Sequence, residues 1–550
     1  MDTNEAVVKT LEQVGVDHVF GGTGQVNGSM LLALKRSNQI KTIIIRDEQG
    51  ASFMACGYSM FSDKLGVCFA TGGPGEFNLL SGLAVAYSDS LPVLAISGYT
   101  SKPDRGKGAL NEDTGLNRTA DGPKIFHATT KNSWIIEDAD QTCDILEQAI
   151  NLAFEGRHGP VHIHVPKNIT IAKVNNFRPI KLDIKPVLPD AKKLDEAADI
   201  LAKAINEDAQ VMTLVGYGTI RSHAQKELSE FLEKFQIPFV STMDAKGYMP
   251  EDHPLALGVY GTSGDHGAIK YFDNSKVVLA LGNSFAQNAT FGFKADLYKD
   301  KTLIHVNIDP HEIGKVYQAN CAIVSDAKPA ITGIGERLSK KVSQIKAKKV
   351  EKDTWYDTST NYAGKKIHPG DMVRVMSQNL PKDTIVLGDA GSHMLWLNCY
   401  LHLAKNQRYQ NPGSFGPMAS HVDAAIGVKC ALPNTPVICG CGDAAYQMAG
   451  FELMTAVQYE IPVVWVIFNN GEFNVIRKFL LNLFNEEAFM QFRNPDFVKY
   501  AQACGATGYR VEKIEDFAPA LNKALALGKP ALIDVVVEAD VFPPFALGKV

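Results

Sequence analysis

The sequence predicts an α/β protein of three open, mainly parallel-sheet domains, and three observations carry that expectation. Short apolar runs rich in β-branched residues alternate with helical patterns along the chain, as parallel strands buried on both faces and joined by crossover helices require. The 550 residues suffice for three or four domains of about 150 residues each. Two polar stretches, 171–192 and 339–368, interrupt the alternation and divide the chain into three blocks.

The first block opens with a helix over Glu5–Val14. Strands follow at KTIIIRD (41–47), GVCFAT (66–71), PVLAIS (92–97) and PVHIHVP (160–166), with a late helix over Gln141–Phe154. The stretch 171–192 is rich in Lys, Pro and Asn and reads as a linker. The second block carries strands at VMTLVG (211–216), PFVST (238–242), KVVLALG (276–282) and TLIHVNI (302–308). Lysines crowd 339–352; without interleaved aromatics they read as a solvated helix plus linker rather than a nucleic-acid patch. The third block runs through DTIVLGD (383–389), TPVICGCGD (435–443), PVVWVIFNN (462–470) and PALIDVVVE (530–538). The expected domains are 1–170, 190–338 and 366–550.

Composition excludes several classes. Hydrophobic residues make up 45% and charged residues 21%, with a formal net charge of −5, so an ordered core is expected and a nucleic-acid partner is not. No apolar run reaches the roughly 18–20 residues that cross a bilayer. The N-terminus shows neither a signal-peptide core nor an Arg-rich transit pattern. Nine scattered cysteines without a CxxC pair read as free thiols of a cytoplasmic protein, with Cys439 and Cys441 as small core residues.

The most informative segment is Gly442–Asn470. One buried strand ends at Gly442-Asp443-Ala444, a helix follows, and a second strand ends at Asn469-Asn470. Ligands of open α/β sheets bind outside the carboxyl ends of strands. A single carboxylate with neutral oxygens suits Mg²⁺ that also takes phosphate oxygens and water, and Gly442 would let a phosphate approach the backbone. Spacing alone leaves an equal alternative, in which Asp443 caps the helix and Asn470 begins a turn.

This segment resembles the thiamine diphosphate (ThDP) signature of the acetolactate synthase and pyruvate oxidase family, a GDG followed at this spacing by NN, with Ala444 in place of the last Gly. Further matches occur in the family's order: RDEQGASFMACGYS (46–59), TGGPGEFNLLSGLAVAYSDSLPVLAISG (71–98), GRHGPVHIHVPKNI (156–169), MPEDHPLALG (249–258), HVNIDPHEIGK (305–315), DAGSHMLW (389–396) and PGSFGPM (412–418). The resemblance implies pyrimidine-binding, middle and diphosphate-binding domains, in that order. It implies that Asp443, Asn470 and the Glu472 carbonyl hold Mg²⁺, and that Gly391, Ser392 and His393 form a loop on the diphosphate, with His393 a neutral or charged donor. Gly416 and Met418 would prop the cofactor, with Gly442, Ala444, Ala445, Phe473, Asn474 and Val475 completing its site. Glu48 would activate the cofactor through the pyrimidine N1′, where residues alone suggest a surface pair with Arg46. Gln25, on the loop after the first strand, would face substrate. The implied assembly is a homodimer or homotetramer, with each site shared between two chains.

The resemblance implies decarboxylation of a 2-oxo acid, pyruvate first, with transfer of the fragment to an acceptor. Departures cluster at substrate and flavin positions. The family's middle-domain arginine region that contacts FAD is Asn283-Ser284-Phe285-Ala286-Gln287 here, so FAD is expected to be absent. The acceptor-selecting tryptophan is Phe479, and Leu110-Asn111-Glu112 replaces Phe-Gln-Glu. His421 and Asp423 bring new polar groups near the cofactor, as a helix-start pair or as a substrate acid/base set in which His421 titrates near neutral pH. The alternatives are a FAD-binding acetolactate synthase catalytic subunit, a simple decarboxylase, or a non-catalytic relative. His162 and His164 share a strand face but have no third ligand near them in sequence, and read as structural. Lys131 reads as a surface lysine or as a group at the site mouth.

Overall fold

The protein is described here by a computed structural model covering residues 1–544. Its described strands form three six-stranded sheets. The first contains β1 (His18–Gly21), β2 (Lys41–Ile44), β3 (Gly66–Ala70), β4 (Val93–Tyr99), β5 (Ser133–Ile135) and β6 (Val161–Pro166), in the order β2-β1-β3-β4-β6-β5. The middle sheet contains β7 (Val211–Val215), β8 (Phe239–Ser241), β9 (Ala256–Val259), β10 (Val277–Leu281), β11 (Thr302–Asn307) and β12 (Cys321–Val324), in the order β12-β11-β10-β7-β8-β9. The third contains β13 (Ile385–Gly388), β14 (Arg408–Gln410), β15 (Val437–Gly442), β16 (Val463–Asn469), β17 (Thr507–Val511) and β18 (Ala531–Val536), in the order β14-β13-β15-β16-β18-β17. Every pairing between these strands is parallel. The first and third sheets share one relative order, which reverses direction beside their first strand and leaves a crevice there.

Local chemistry sets the expected helices. Thr3–Gln13 starts at a capping box in which Asp2 and Glu5 exchange hydrogen bonds, two residues before the sequence-based range. Thr142–Phe154 follows with one buried apolar face. The lysine-rich run departs from expectation. Helix Ala327–Leu338 ends before it, and 342–354 has no regular structure. That segment has too few apolar residues for a helical face; Val342 and Ile345 pack on the middle core, while Lys346 and Lys348 pair with Asp208 at 2.9 and 2.7 Å.

The first and third domains are joined by two helices, Glu48–Ser62 and Ser420–Ala431. They cross where neither presents a side chain. A Cβ on Gly57 would overlap the Ala424 carbonyl, and one on Gly427 would overlap the Met54 carbonyl. Around this crossing Phe53, Met54, Val422 and Trp465 belong to one continuous apolar core. A methyl group at the crossing must push two backbones apart, so Gly427→Val should destabilise the fold by about 3 kcal/mol or more. Urea unfolding measures this; an unchanged midpoint would show that the helices separate freely.

Candidate functional site

At the carboxyl ends of β13, β15 and β16, three helices begin: Ser392–Tyr400, Asp443–Ala449 and Asn474–Phe484. Helix starts leave backbone N–H groups without intrahelical partners and favour anions. Gly391 (φ 145°) and Gly442 leave the space that the His393 ring fills, since a Cβ on Gly442 would lie 3.0 Å from that ring. His393 Nε2 accepts from the Gly442 N–H at 3.3 Å, and burial lowers its pKa to about 3. In the cofactor-free chain burial therefore favours the neutral ring.

Asp443 is buried, and its carboxylate gathers the loops. Oδ1 accepts from the Ala444 N–H at 2.9 Å; Oδ2 accepts from the N–H groups of Asn470 (3.1 Å) and Gly471 (2.7 Å) and from Asn494 Nδ2 (2.8 Å). Burial raises its pKa, against those hydrogen bonds. Asn470 Oδ1 accepts from the Glu472 N–H, and the buried Glu472 side chain accepts from Asn474 Nδ2 at 2.8 Å. The predicted Asp443, Asn470, Glu472 and Asn474 thus form one network. Phe473 is exposed beside it, Ala445 is buried beneath it, and Val475 packs on Met243 and Leu395. Asn494 had no sequence signal.

The Met418 loop is set by another residue that sequence reasoning passed over. Asp389 accepts from the N–H groups of Ala419 and His421, both at 2.8 Å, capping helix Ser420–Ala431 and holding Ala419 at φ 74°. Gly416 turns the loop at φ 47°, leaving Met418 half-buried. His421 is buried, meets Ser420 Oγ through Nδ1 at 3.2 Å, and has no partner on Nε2. Burial lowers its pKa to about 3, so the expected titration near neutral pH is corrected: the ring stays neutral. Asp423 lies at the seam with the first domain, its Oδ2 3.2 Å from a Cβ on Gly50, and burial with Glu452, Asp389 and Asp47 nearby pushes its pKa up.

In the first domain, Asp47 caps helix Glu48–Ser62. Glu48, the first residue of that helix, is half-buried and accepts from Asn78 Nδ2 at 3.1 Å. Its Oε1 lies 3.2 and 3.1 Å from the places a Cβ on Gly22 and Gly75 would take. The backbone before it is clamped by Glu452, whose Oε1 accepts from the N–H groups of Arg46 (2.8 Å) and Asp47 (2.9 Å). Arg46 itself turns to Gln458, not to Glu48. Gln25 is exposed on the loop after β1. Lys131 donates to the Glu155 and Arg157 carbonyls and is structural. Among the described residues no hydrogen bond or ion pair joins Glu48 to Asp443, Asn470, His393 or Met418.

Two carboxylates, each after the carboxyl end of a strand in one of two like-ordered sheets, agree with comparisons across known proteins. Models of the thiamine pyrophosphate enzyme N-terminal TPP binding domain, central domain and C-terminal TPP binding domain match residues 1–119, 198–334 and 389–535. The acetolactate synthase large subunit of Corynebacterium glutamicum is 32% identical, over 99% of this chain and 88% of its own length. This chain belongs to the thiamine pyrophosphate enzyme family. The acetolactate synthase of Mycobacterium bovis is also 32% identical, covering 99% and 90%, and a probable acetolactate synthase large subunit of Methanocaldococcus jannaschii is 31% identical, covering 98% and 92%. As a thiamine pyrophosphate enzyme it is a ThDP-dependent carboligase, making and breaking carbon–carbon bonds. Its residues fit the cofactor, because glycines and helix starts face the crevice beside one buried carboxylate. Among the described residues no helix is long and apolar enough to cross a membrane.

A cavity of about 610 Å³ opens at the switch point of the middle sheet, lined by Gly218, Arg221, Asp244, Asn283, Asp326 and Arg157 among others. The Asn283 side chain accepts from the Phe285 N–H, closing the loop where FAD-binding relatives were expected to carry arginine. Arg157 is held by Glu312, Ser88 and Ser90, and Lys315 by Glu312. Asp89 and Asp244 are buried acids pushed up to about 6 and about 7 by burial.

The neutrality of His421 has a measurable sign. Its folded pKa is depressed from 6.5 to about 3, so its contribution to stability is complete above pH 6.5 and is lost as pH falls through that window. There wild type should lose about 1.4 kcal/mol per pH unit more than His421→Gln. Urea unfolding from pH 7 to 4.5 checks it; equal slopes would return the titration to neutral pH.

Proposed function

We propose that this enzyme decarboxylates a 2-oxo acid, pyruvate first, and transfers the fragment to an acceptor, with Mg²⁺ holding the cofactor diphosphate. The observation that carries the reading is the pair Glu48 and Asp443, each at the carboxyl end of a sheet of the same strand order. Asp443, Asn470 and the Glu472 carbonyl would hold Mg²⁺, the loop at Gly391-Ser392-His393 would meet the diphosphate, and Met418 would brace the cofactor. When bound, ThDP supplies the electron sink for decarboxylation. Glu48, whose carboxylate Asn78 orients, would hold the pyrimidine N1′ and share a proton with it. Neutral His421 serves as a hydrogen-bonding group toward substrate, not as a proton donor.

Two copies would complete each site. Phe473, Ile476, Phe479 and Leu483 lie exposed on or beside helix Asn474–Phe484, an apolar surface that supports coverage by a second chain. The relatives are acetolactate synthases by name, and Phe479 in place of the expected acceptor-selecting tryptophan supports an acceptor other than theirs. The unpaired cysteines support a reducing, cytoplasmic location.

Two variants test the reading. Glu48→Gln keeps the shape and removes the exchangeable proton. ThDP should bind with near wild-type affinity while hydrogen–deuterium exchange at its C2 slows by about 100-fold or more; wild-type exchange would assign activation elsewhere. Asp443→Asn removes the charged ligand and should weaken Mg²⁺-dependent ThDP binding by at least about tenfold in calorimetry. Unchanged affinity would remove Asp443 from the metal site.

A further inference from the structure

Away from the strand-end crevices, the first domain holds four titratable side chains with no solvent contact. His162 and His164 stand on one face of β6. The short helix Pro74–Asn78 brings Glu76 to them, and the loop at 105–121 brings Asp113. All four are 0% exposed. His164 Nε2 lies 3.3 Å from Glu76 Oε2 and 3.8 Å from Asp113 Oδ2. One ligand atom from each of Glu76, His162 and His164 lies within 4.8 Å of the others. Sequence reading dismissed the two histidines because no third ligand was nearby; the fold supplies Glu76 and Asp113 from distant segments.

Both oxygens of Glu76, both of Asp113 and both ring nitrogens of His164 lack hydrogen-bond partners. Buried polar groups are almost always paired; a proton shared between the Glu76 and Asp113 carboxyls satisfies part of this cluster, and a bound cation would satisfy the rest. In the unliganded chain, burial pushes Glu76 up to about 7; burial and the neighbouring Glu76 push Asp113 up to about 9. Burial lowers His164 to about 4.

We propose that Glu76, Asp113, His164 and His162 bind a divalent transition-metal ion, zinc best, that pins the 105–121 loop against the first domain. Three features choose this ligand. Ligand atoms around tetrahedral zinc are separated by roughly 3.3–3.5 Å, given bonds of about 2.0–2.2 Å; His164 and Glu76 already stand at 3.3 Å, while Asp113 at 3.8 Å and His162 must close in on the ion. Two carboxylates neutralise a dication, so the loaded site buries no net charge. His162 already has the supporting contact a ligand needs: Nδ1 meets Ser133 Oγ at 3.0 Å, so Nε2 is the nitrogen left to bind. Nε2 now meets Ser97 Oγ at 2.9 Å, a hydroxyl that can rotate away.

The surroundings make the site structural. Phe126 stacks on His162 at 3.9 Å between centroids, and Tyr99 packs on His164 at 4.8 Å. Four protein ligands in a dry pocket leave no open position for substrate, the pattern of closed sites. A Cβ on Gly122 would overlap Asp113 Oδ2 and lie 2.7 Å from Glu76 Oε1, so glycine leaves the room for these ligands. The ion would be separate from any Mg²⁺ at Asp443. It would act on the active site only by holding the turn whose Gly75 borders Glu48.

The test uses the full chain, purified without a polyhistidine tag from zinc-supplemented cells. Plasma mass spectrometry should find about one zinc per chain, a closed structural stoichiometry. Glu76→Gln and His164→Gln should lose it, while Asp443→Asn should retain it. Chelator-stripped wild type, titrated with cobalt(II), should give the intense visible bands of tetrahedral cobalt and recover its resistance to proteolysis within 105–121, at least about tenfold over the stripped form. The wild-type titration stands alone if a variant fails to fold. Absence of zinc and of a tetrahedral cobalt spectrum in wild type overturns the proposal, as does zinc retained by both cluster variants.

Discussion

Backbone contact between helices Glu48–Ser62 and Ser420–Ala431 is the constraint on which the rest depends. Gly57 against Ala424 and Gly427 against Met54 bring the helices closer than side chains would allow. Helix packing through side chains has several workable registers, whereas backbone-to-backbone contact at two glycines has essentially one. Glu48 begins one helix, and Met418 lies two residues before the other. The crossing therefore fixes two of the expected cofactor contacts relative to a shared core, so that neither rides on a flexible linker.

Each loop leaving that core is then fastened by a buried carboxylate taking backbone N–H groups. Asp389 takes Ala419 and His421, Glu452 takes Arg46 and Asp47, and Asp443 takes Asn470 and Gly471. Backbone donors leave little slack, because moving one means moving the chain, and hydrogen bonds to an ionised acceptor are the strong ones. Burial opposes ionisation in all three, raising Asp389 to about 7 and raising Glu452 and Asp443. Their hydrogen bonds offset that cost only while the loops stay closed. Loop geometry and carboxylate charge are consequently one coupled quantity here.

Much of this was legible in the sequence, for identifiable reasons. Strands buried on both faces announce themselves as apolar runs, so β6, β7, β10, β11, β15 and β16 were found with small boundary errors. Asp443, Asn470, Glu472 and Asn474 were legible because they lie in one short segment whose turn chemistry is local. What escaped depends on contacts between distant segments. Asn494 reaches Asp443 from 51 residues away, and Glu452 reaches Asp47 across 405. His421 looked like a neutral-pH titrating group because burial cannot be read from one residue's identity. The lysine run looked helical because its partner Asp208 belongs to another segment altogether.

The two outer sheets share one strand order yet offer different electrostatics at their crevices. Over the third sheet, Gly391 and Gly442 clear the approach to helix starts, and His393 is neutral and adds no bulk beyond the space they leave. An anion is favoured there, most of all with a cation at Asp443. Over the first sheet, Glu48 follows the edge strand β2, whereas Asp443 follows the inner strand β15, and Gly22 and Gly75 clear space for the Glu48 carboxylate instead. A diphosphate would meet a negative group at that end, while a heteroaromatic ring able to share a proton would gain by it. Identical topology thus supplies two crevices, and the residues at their strand ends give them different charge, the physical basis on which the two halves of an amphoteric ligand would be told apart.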